Sequence, residues 1–549
     1  MAHRPPGLRA PSTHATGTPA WRVRLVILAA ALAPLSIWPL ATGRLARPLE
    51  TAAWALLCGL LAASAPGHWA RLGAYAQALL LPLTLVWIGA VAGTGMGPSL
   101  NTLGSVAAGA YREVWNGVVL AFGAPGFAPA AAATLLLTVW ATRLAHRHRH
   151  RWQAGGPSGL LFLLLLLPAS ATVLDAAGLH TFARLAGPEA RMAVPWLSHL
   201  EMMKAGLEGL VMPSAEAYDG GQAETRSARG VRPAFQTEAG VALLIVGESL
   251  RADALLTPGR GEGSTELQRR LADGLGVRLP DACAGGNGTF VAVPKLLTAA
   301  PGEAPPSDTR RPSLLALAHA GGARTAYINN HETWVLPEAG HDLVQKISST
   351  GAHPLDEVAV EAAEDFIRRE AAAASVAVVL HLYGQHFFYE DRYPGDLFGA
   401  EPADGSPEAL EALRYQRAAE YGAHVLARAA RMLDSLPVPA YLVFTSDHGE
   451  NLLSDGTGKH FHAGPVNGRH DTLVPALVLW NRAFARSGRP QRLQPLLAAA
   501  QISHRDVALA WLALLGAPHP LAPPLDPMTW GTTGPGQAAG PLRCADLPP

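Results

Sequence analysis

The sequence predicts a chain in two parts: an N-terminal α-helical transmembrane domain of about five spans over residues 1–180, and a C-terminal α/β domain with a largely parallel sheet over 237–549. Two observations predict it. Residues 1–180 hold three acidic side chains (Glu50, Glu113 and Asp175) and twelve basic ones, all Arg, out of 43 of each sign in the chain, so the remainder holds 40 acidic against 31 basic. From Val241 onward the long apolar runs give way to short β-rich runs that alternate with helical stretches.

Apolar runs at about 24–41, 51–66, 75–92, 126–142 and 158–178 each approach the roughly 20 residues that cross a hydrocarbon core. Arg4, Arg9, Arg22 and Arg24, and the RLAHRHRHR loop at 143–151, mark cytoplasmic sides. Five spans then put the C-terminal half outside. Alternating Arg in that loop would repel a cation, so topology accounts for its charge and a metal site does not. The first run lacks a small-residue cleavage site and is expected to stay as an anchor.

Residues 181–236 join the two parts. Within them Leu197, Leu200, Met203, Leu207 and Leu210 form one apolar helical face, suited either to the outer domain or to the bilayer surface. Residues 212–236 read as an exposed linker.

Strands are expected at 241–246, 324–328, 376–382, 440–444 and 476–480, and helices near 309–320, 355–373, 407–436 and 502–515. In such sheets ligands sit beyond the carboxyl ends of the strands. Polar residues collect there: Glu248 after the first strand, Asn329 and Asn330 after the second, His386 beyond the third, Asp447 and His448 beyond the fourth. Two carboxylates and an imidazole at one sheet edge suit a zinc-type cation. Thr289, in GGNGTFVAVPKLLT, follows a glycine turn and precedes a helix, whose first N–H groups would stabilise an alkoxide and a phosphoryl group. A Thr hydroxyl needs a metal or a base to become a nucleophile; otherwise Thr289 is a simple helix cap. His381 falls inside a strand and is expected to be buried. His386, past the Gly384 turn, is the better functional candidate, and His460, His462 and His470 follow in KHFHAGPVNGRHD.

The ordered set VGES, the Thr289 turn, HLYGQH with RYP, and SDHGE resembles the phosphoethanolamine transferases, membrane enzymes of the alkaline phosphatase/sulfatase superfamily. The resemblance implies a sulfatase-like periplasmic catalytic domain on an inner-membrane anchor. It implies Zn2+ on Glu248, Thr289, Asp447 and His448, with Thr289 as nucleophile and His386 plus a later His on the transferred phosphate. The donor would be phosphatidylethanolamine among the membrane lipids, and the acceptor lipopolysaccharide. RRPSLLALAHAGGARTAYINN and GRHDTLVPALVLWN lean towards the branch acting on core heptose, which favours His470 as the second phosphate ligand; HAGP resembles the lipid A branch and favours His462. In the lipid A branch paired cysteines flank the nucleophile turn. Here Lys295 stands where a partner for Cys283 would be, so Cys283 is either free or bridged to Cys544. Arg251 and Lys295 either steady phosphate charge or make ordinary ion pairs.

A sulfatase would need a modified Cys or Ser in a C/S-x-P-x-R setting, whereas Phe-Val-Ala follows Thr289. A phosphoglycerol transferase shares the Thr, the metal and the spans. A non-catalytic envelope sensor would not need all four metal candidates. The net-acidic distal half, without a basic block, excludes nucleic acid as partner.

Overall fold

The computed structural model describes residues 235–549 except 257–260, 305–310, 332–341, 348–353, 458, 464–465, 519–520, 524–525, 532–539 and 549, together with eight helical positions between 132 and 147. The spans expected at 24–41, 51–66, 75–92 and 158–178 and the 196–211 helix lie outside the described residues, as does the span expected at 126–142, apart from 132, 135, 136, 139 and 140. Among the described residues no helix is long and apolar enough to cross a membrane.

Residues 241–517 build around a seven-stranded sheet. Its strands are β1 (Val241–Gly247), β2 (Gly276–Arg278), β4 (Arg324–Asn329), β5 (Leu343–Lys346), β6 (Val376–His381), β7 (Ala440–Ser446) and β9 (Ala476–Trp480), in the order β2-β9-β7-β1-β6-β4-β5. The five strands from β7 to β5 run parallel, while β9 lies antiparallel to β7 and β2 antiparallel to β9. All five expected strands are present. The sequence missed the antiparallel edge, because ALVLW carries no mark of direction. It also missed β5, whose side chains are mostly half-buried and leave no continuous apolar run.

β1 is buried on both faces, which explains its unbroken VALLIV run. Val241, Leu243 and Ile245 enter one apolar core with Phe366 and Ile367 of α4 (Glu357–Glu370) and with Leu426 and Leu433 of α5 (Pro407–Asp434); Leu267 of α1 (Glu262–Ala272) joins them. Ala242, Leu244 and Val246 face the opposite core, with Val293 and Leu296 of α2 (Thr289–Leu297), Leu314 of α3 (Leu314–Ala320) and Trp511 of α6 (His504–Leu515). The architecture is therefore three-layered, helices over both faces of the sheet. Local signals set the helix ends. Ser406 and Ser503 cap α5 and α6 with their hydroxyls, and Gly516 closes α6 in the left-handed conformation.

Two small sheets complete the domain. One joins β3 (Ala282–Cys283) to β8 (Leu473–Val474) and β10 (Ile502–Ser503); the other pairs β11 (Met528–Gly531) with β12 (Gly540–Arg543). Cys283 is disulfide-bonded to Cys544, tying the C-terminal segment to the strand that leads into the Thr289 turn.

The register sets the chemistry. Val246 lies opposite His381, Asn329 also lies opposite His381, and Gly247 lies opposite Ser446. Glu248, His331 and Asp447 therefore emerge at one level, beyond the carboxyl ends of the central strand and its neighbours, the general ligand position of open α/β sheets.

Candidate active site

Glu248 leaves β1 into a constrained turn. Ser249, the next residue, has a φ of 57°, rare for a non-glycine residue. Its conformation is held from several sides: its N–H donates to Asp447 Oδ1 at 3.2 Å, its carbonyl accepts from the Tyr415 hydroxyl at 2.8 Å, and Leu250 N–H donates to Ser446 Oγ at 2.9 Å. Gly384, at φ +46°, packs on the other side of Glu248. A Cβ there would lie 2.7 Å from the Glu248 nitrogen, so only glycine lets the β6 loop close over the carboxylate.

Thr289 opens α2, and Gly288 takes the N-cap position, so the Thr hydroxyl is not spent on capping. Thr289 Oγ1 lies 3.1 Å from Glu248 Oε2 and 3.1 Å from His448 Nε2. His448 Nδ1 donates to the Gly449 carbonyl at 2.8 Å, which turns Nε2 towards the cluster, where it would offer its lone pair to a bound cation. That Nε2 lies 3.3 Å from Glu248 Oε1 and 3.3 Å from Asp447 Oδ2. The four residues expected to bind metal are thus brought together, all buried.

The electrostatics are those of a cluster short of positive charge. Burial and the neighbouring Glu248 carboxylate push Asp447 up. For Glu248 burial acts in the same sense, but His448 and His331 outweigh it and hold that carboxyl well below the usual range. Burial lowers the His448 imidazole, yet Asp447 and Glu248 more than compensate and raise it. Asp447 Oδ2 is buried and receives no hydrogen bond among the described residues. An orphaned carboxylate oxygen beside a second carboxylate, a directed imidazole and a hydroxyl is a donor set that fits a divalent cation.

Of the later histidines, His462 joins this group and His470 does not. The His462 ring stands 4.2 Å from the His448 ring and 5.5 Å from that of His386, and Glu248, His448 and His462 offer ligand atoms all within 4.8 Å of one another. His462 Nδ1 also lies 3.2 Å from Glu450, a buried carboxylate of the SDHGE motif that sequence reasoning had not singled out. Phe461 and Ala463, on either side of His462, both have positive φ, and Ala463 N–H donates to the Asn287 carbonyl at 2.7 Å, which draws this loop onto the Thr289 turn. His470 Nδ1 instead faces Asp455 at 3.2 Å. His386 is buried, and burial holds its imidazole well below the usual range, so it faces the site as a neutral hydrogen-bonding ring. His381 is buried at the end of β6, as expected. His331, two residues past β4, approaches Glu248 Oε2 at 3.0 Å; its only sequence signal was its place just beyond a strand end.

Arg251 forks between Asp253 and Asp455, and Lys295 donates to the carbonyls of Gly285 and Gly302 at 2.9 and 2.8 Å. Both serve the scaffold. Lys295 packs its stem on Gly285 and so ties the Thr289 turn to α2.

Residues 241–517 match the family model described as Sulfatase, more than half of the chain. The chain belongs to the sulfatase family. Among curated proteins it is 27% identical over 168 residues to the phosphoethanolamine transferase EptA of Helicobacter pylori, a match covering 29% of this chain and 30% of that relative's length. Its fold resembles that of the integral membrane protein lipooligosaccharide phosphoethanolamine transferase A (EptA) from Neisseria meningitidis, with a TM-score of 0.61 and 16% identity over 91% of this chain and 96% of that one. Membership of the sulfatase family fixes the fold; the chemistry has to be read from Thr289 and its neighbours.

Proposed function

We propose that this member of the sulfatase family is a zinc-dependent phosphoethanolamine transferase that takes its group from phosphatidylethanolamine and delivers it to lipopolysaccharide, at core heptose or lipid A. The observation that carries the reading is the Thr289 hydroxyl at the start of α2, 3.1 Å from both Glu248 and His448. The activity named for the Helicobacter pylori relative supports it.

Glu248, Thr289, Asp447 and His448 would hold the zinc. When bound, the cation supplies positive charge that favours the Thr289 alkoxide and offsets charge on the phosphoryl oxygens. Thr289 Oγ1 gives up its proton and forms a bond to the phosphorus, the bond from phosphorus to the diacylglycerol oxygen breaks, and that oxygen takes up a proton and leaves as diacylglycerol. In the second half an acceptor hydroxyl oxygen bonds to the phosphorus, the bond from phosphorus to Thr289 Oγ1 breaks, and the proton given up by the acceptor restores the Thr289 hydroxyl. The first N–H groups of α2 would offer hydrogen bonds to the phosphoryl oxygens. His386 and His462, with ring centroids 5.5 Å apart, would serve as hydrogen-bonding partners for phosphoryl and leaving oxygens.

The N-terminal part would anchor the enzyme beside its lipid donor, with residues after about 180 in the periplasm. The fold likeness over 91% of the chain supports a membrane domain, and the Cys283–Cys544 disulfide suits an oxidising compartment. The test is reconstitution in vesicles holding phosphatidylethanolamine labelled in its headgroup. Label should pass to added lipopolysaccharide, with one diacylglycerol released per transfer. Transfer from phosphatidylglycerol instead would assign the chain to phosphoglycerol transfer.

A further inference from the structure

The turn that carries His386 leaves β6 with each backbone N–H from Leu382 to His386 engaged. Leu382 donates to the Val246 carbonyl at 2.9 Å, Gln385 to the Glu248 carbonyl at 2.9 Å and His386 to the Tyr383 carbonyl at 3.3 Å. The two N–H groups between them go to a side chain instead. Tyr383 donates to Asp356 Oδ1 and Gly384 to Asp356 Oδ2, each at 2.9 Å. Hydrogen bonds to an ionised carboxylate are stronger than those between neutral partners, so Asp356 is the firmest anchor of the turn.

Asp356 stands at the N-cap of α4, where an aspartate ordinarily accepts an N–H of its own helix's first turn. It makes no such bond. Besides the β6 turn it accepts from Asn330 Nδ2 at 2.8 Å, through Oδ1. Asn330 belongs to the turn after β4: its own N–H donates to the His381 carbonyl at 2.8 Å, and it precedes His331, whose ring stacks on that of His381 with centroids 4.6 Å and planes 7° apart. One carboxylate thus forgoes its helix cap and braces the β6 turn against the β4 turn.

The β6 turn in its place holds a ring. Tyr383 and His386 stack with ring centroids 4.9 Å apart and planes 11° apart, and the Arg392 guanidinium lies 4.4 Å from the Tyr383 centroid. The orientation of the His386 imidazole therefore follows from where the Tyr383 backbone is fixed. We propose that Asp356 is a positioning residue for the transfer: by fixing the Tyr383–Gly384 turn it holds the His386 ring where that imidazole meets a phosphoryl or leaving oxygen. Asp356 acts through His386 and touches no reacting atom itself. The inference rests on the role given to His386 in the proposed transfer.

The experiment combines amide hydrogen exchange with a double-mutant cycle, both in full-length protein. Asp356→Asn keeps the shape of the side chain but sets an NH2 group against an N–H donor. Exchange in the 382–386 segment, read by mass spectrometry, should quicken by about tenfold or more, the scale of one lost charged hydrogen bond. The segments of β1 and β7 should exchange as in wild type. In vesicles of headgroup-labelled phosphatidylethanolamine with added lipopolysaccharide, Asp356→Asn should lower kcat by about 10²-fold, the scale of a misplaced group. With His386→Ala already present it should lower kcat less than about threefold, because the ring it positions is gone. Equal losses in the two backgrounds, or exchange that stays slow in folded Asp356→Asn, overturn the proposal. If thermal unfolding shows that Asp356→Asn has not folded, Asn330→Ala takes its place. It removes one of the three donors and should give a smaller loss with the same dependence on His386; a loss independent of His386 again overturns the proposal. Wild type that transfers nothing from phosphatidylethanolamine sinks the transferase reading alone, and the exchange measurement then decides whether Asp356 holds the turn.

Discussion

Ala463 donates its backbone N–H to the Asn287 carbonyl at 2.7 Å, and through that bond the loop carrying His462 is fastened to the turn carrying Thr289. The two segments lie far apart in the chain, yet that bond holds the Thr289 turn and the His462 loop together as one unit. His470, eight residues on, turns away to Asp455.

The two histidines should therefore separate in kinetics. His462→Ala is expected to lower kcat by about 10²-fold or more, the usual scale for a lost general acid–base or hydrogen-bonding group. His470→Ala should change kcat less than about threefold. Steady-state transfer assays on both variants check this, and equal losses would contradict the assignment of His462.

Gly384→Ala should be among the most damaging small substitutions. The new methyl group would sit within 3 Å of both the nitrogen and the carbonyl oxygen of Glu248, at a φ that alanine resists. The expected cost is upwards of about 1 kcal/mol in stability, with loss of bound zinc because Glu248 is displaced. Normal zinc content in the folded variant would contradict the account.

His504 predicts a pH dependence. It links the Thr289 turn to β7, accepting from Gly285 N–H at Nδ1 (3.3 Å) and donating from Nε2 to the Ser446 carbonyl (2.9 Å). Burial pushes its pKa down to about 4 from an ordinary 6.5. As pH falls below 6.5 the unfolded chain takes up this proton first. The contribution is therefore complete above about 6.5 and is lost progressively down to about 4, a change of roughly 3 kcal/mol. Thermal midpoints of wild type and His504→Gln, compared across that window, should show the steeper acid loss in wild type; parallel curves would contradict it.

The legible part of this fold was the part written in runs of one residue class. VALLIV, VAVVLHL and AYLVF announce strands buried on both faces, and Glu248, Asp447 and His448 stand just past strand ends, so their convergence at one sheet edge is legible in the sequence. What the sequence hid depends on chain direction and on loop geometry. The antiparallel β9 reads like its parallel neighbours. The choice between His462 and His470 turns on the positive φ of Phe461 and Ala463, and neither residue type signals that conformation. His331 meets His381 only because two strands far apart in sequence are neighbours in the sheet. The pairing of Cys283 with Cys544 likewise had to wait for the fold.

Breaking that disulfide should loosen the strand that feeds the Thr289 turn. Cys544→Ser is expected to cost about 2–5 kcal/mol, and dithiothreitol should lower the wild-type thermal midpoint by a matching amount while leaving the variant unchanged. A midpoint indifferent to reductant in both would contradict a structural role for the bridge.

The central claim is that Thr289 carries the transferred group between two half-reactions. The most direct measurement is intact-peptide mass spectrometry of full-length protein incubated with phosphatidylethanolamine and no acceptor. The account predicts a phosphoethanolamine adduct on Thr289, diacylglycerol released in equal amount, neither event in Thr289→Ala, and loss of the adduct when lipopolysaccharide is added. Zinc-loaded wild-type protein that stays unmodified and releases no diacylglycerol would contradict it.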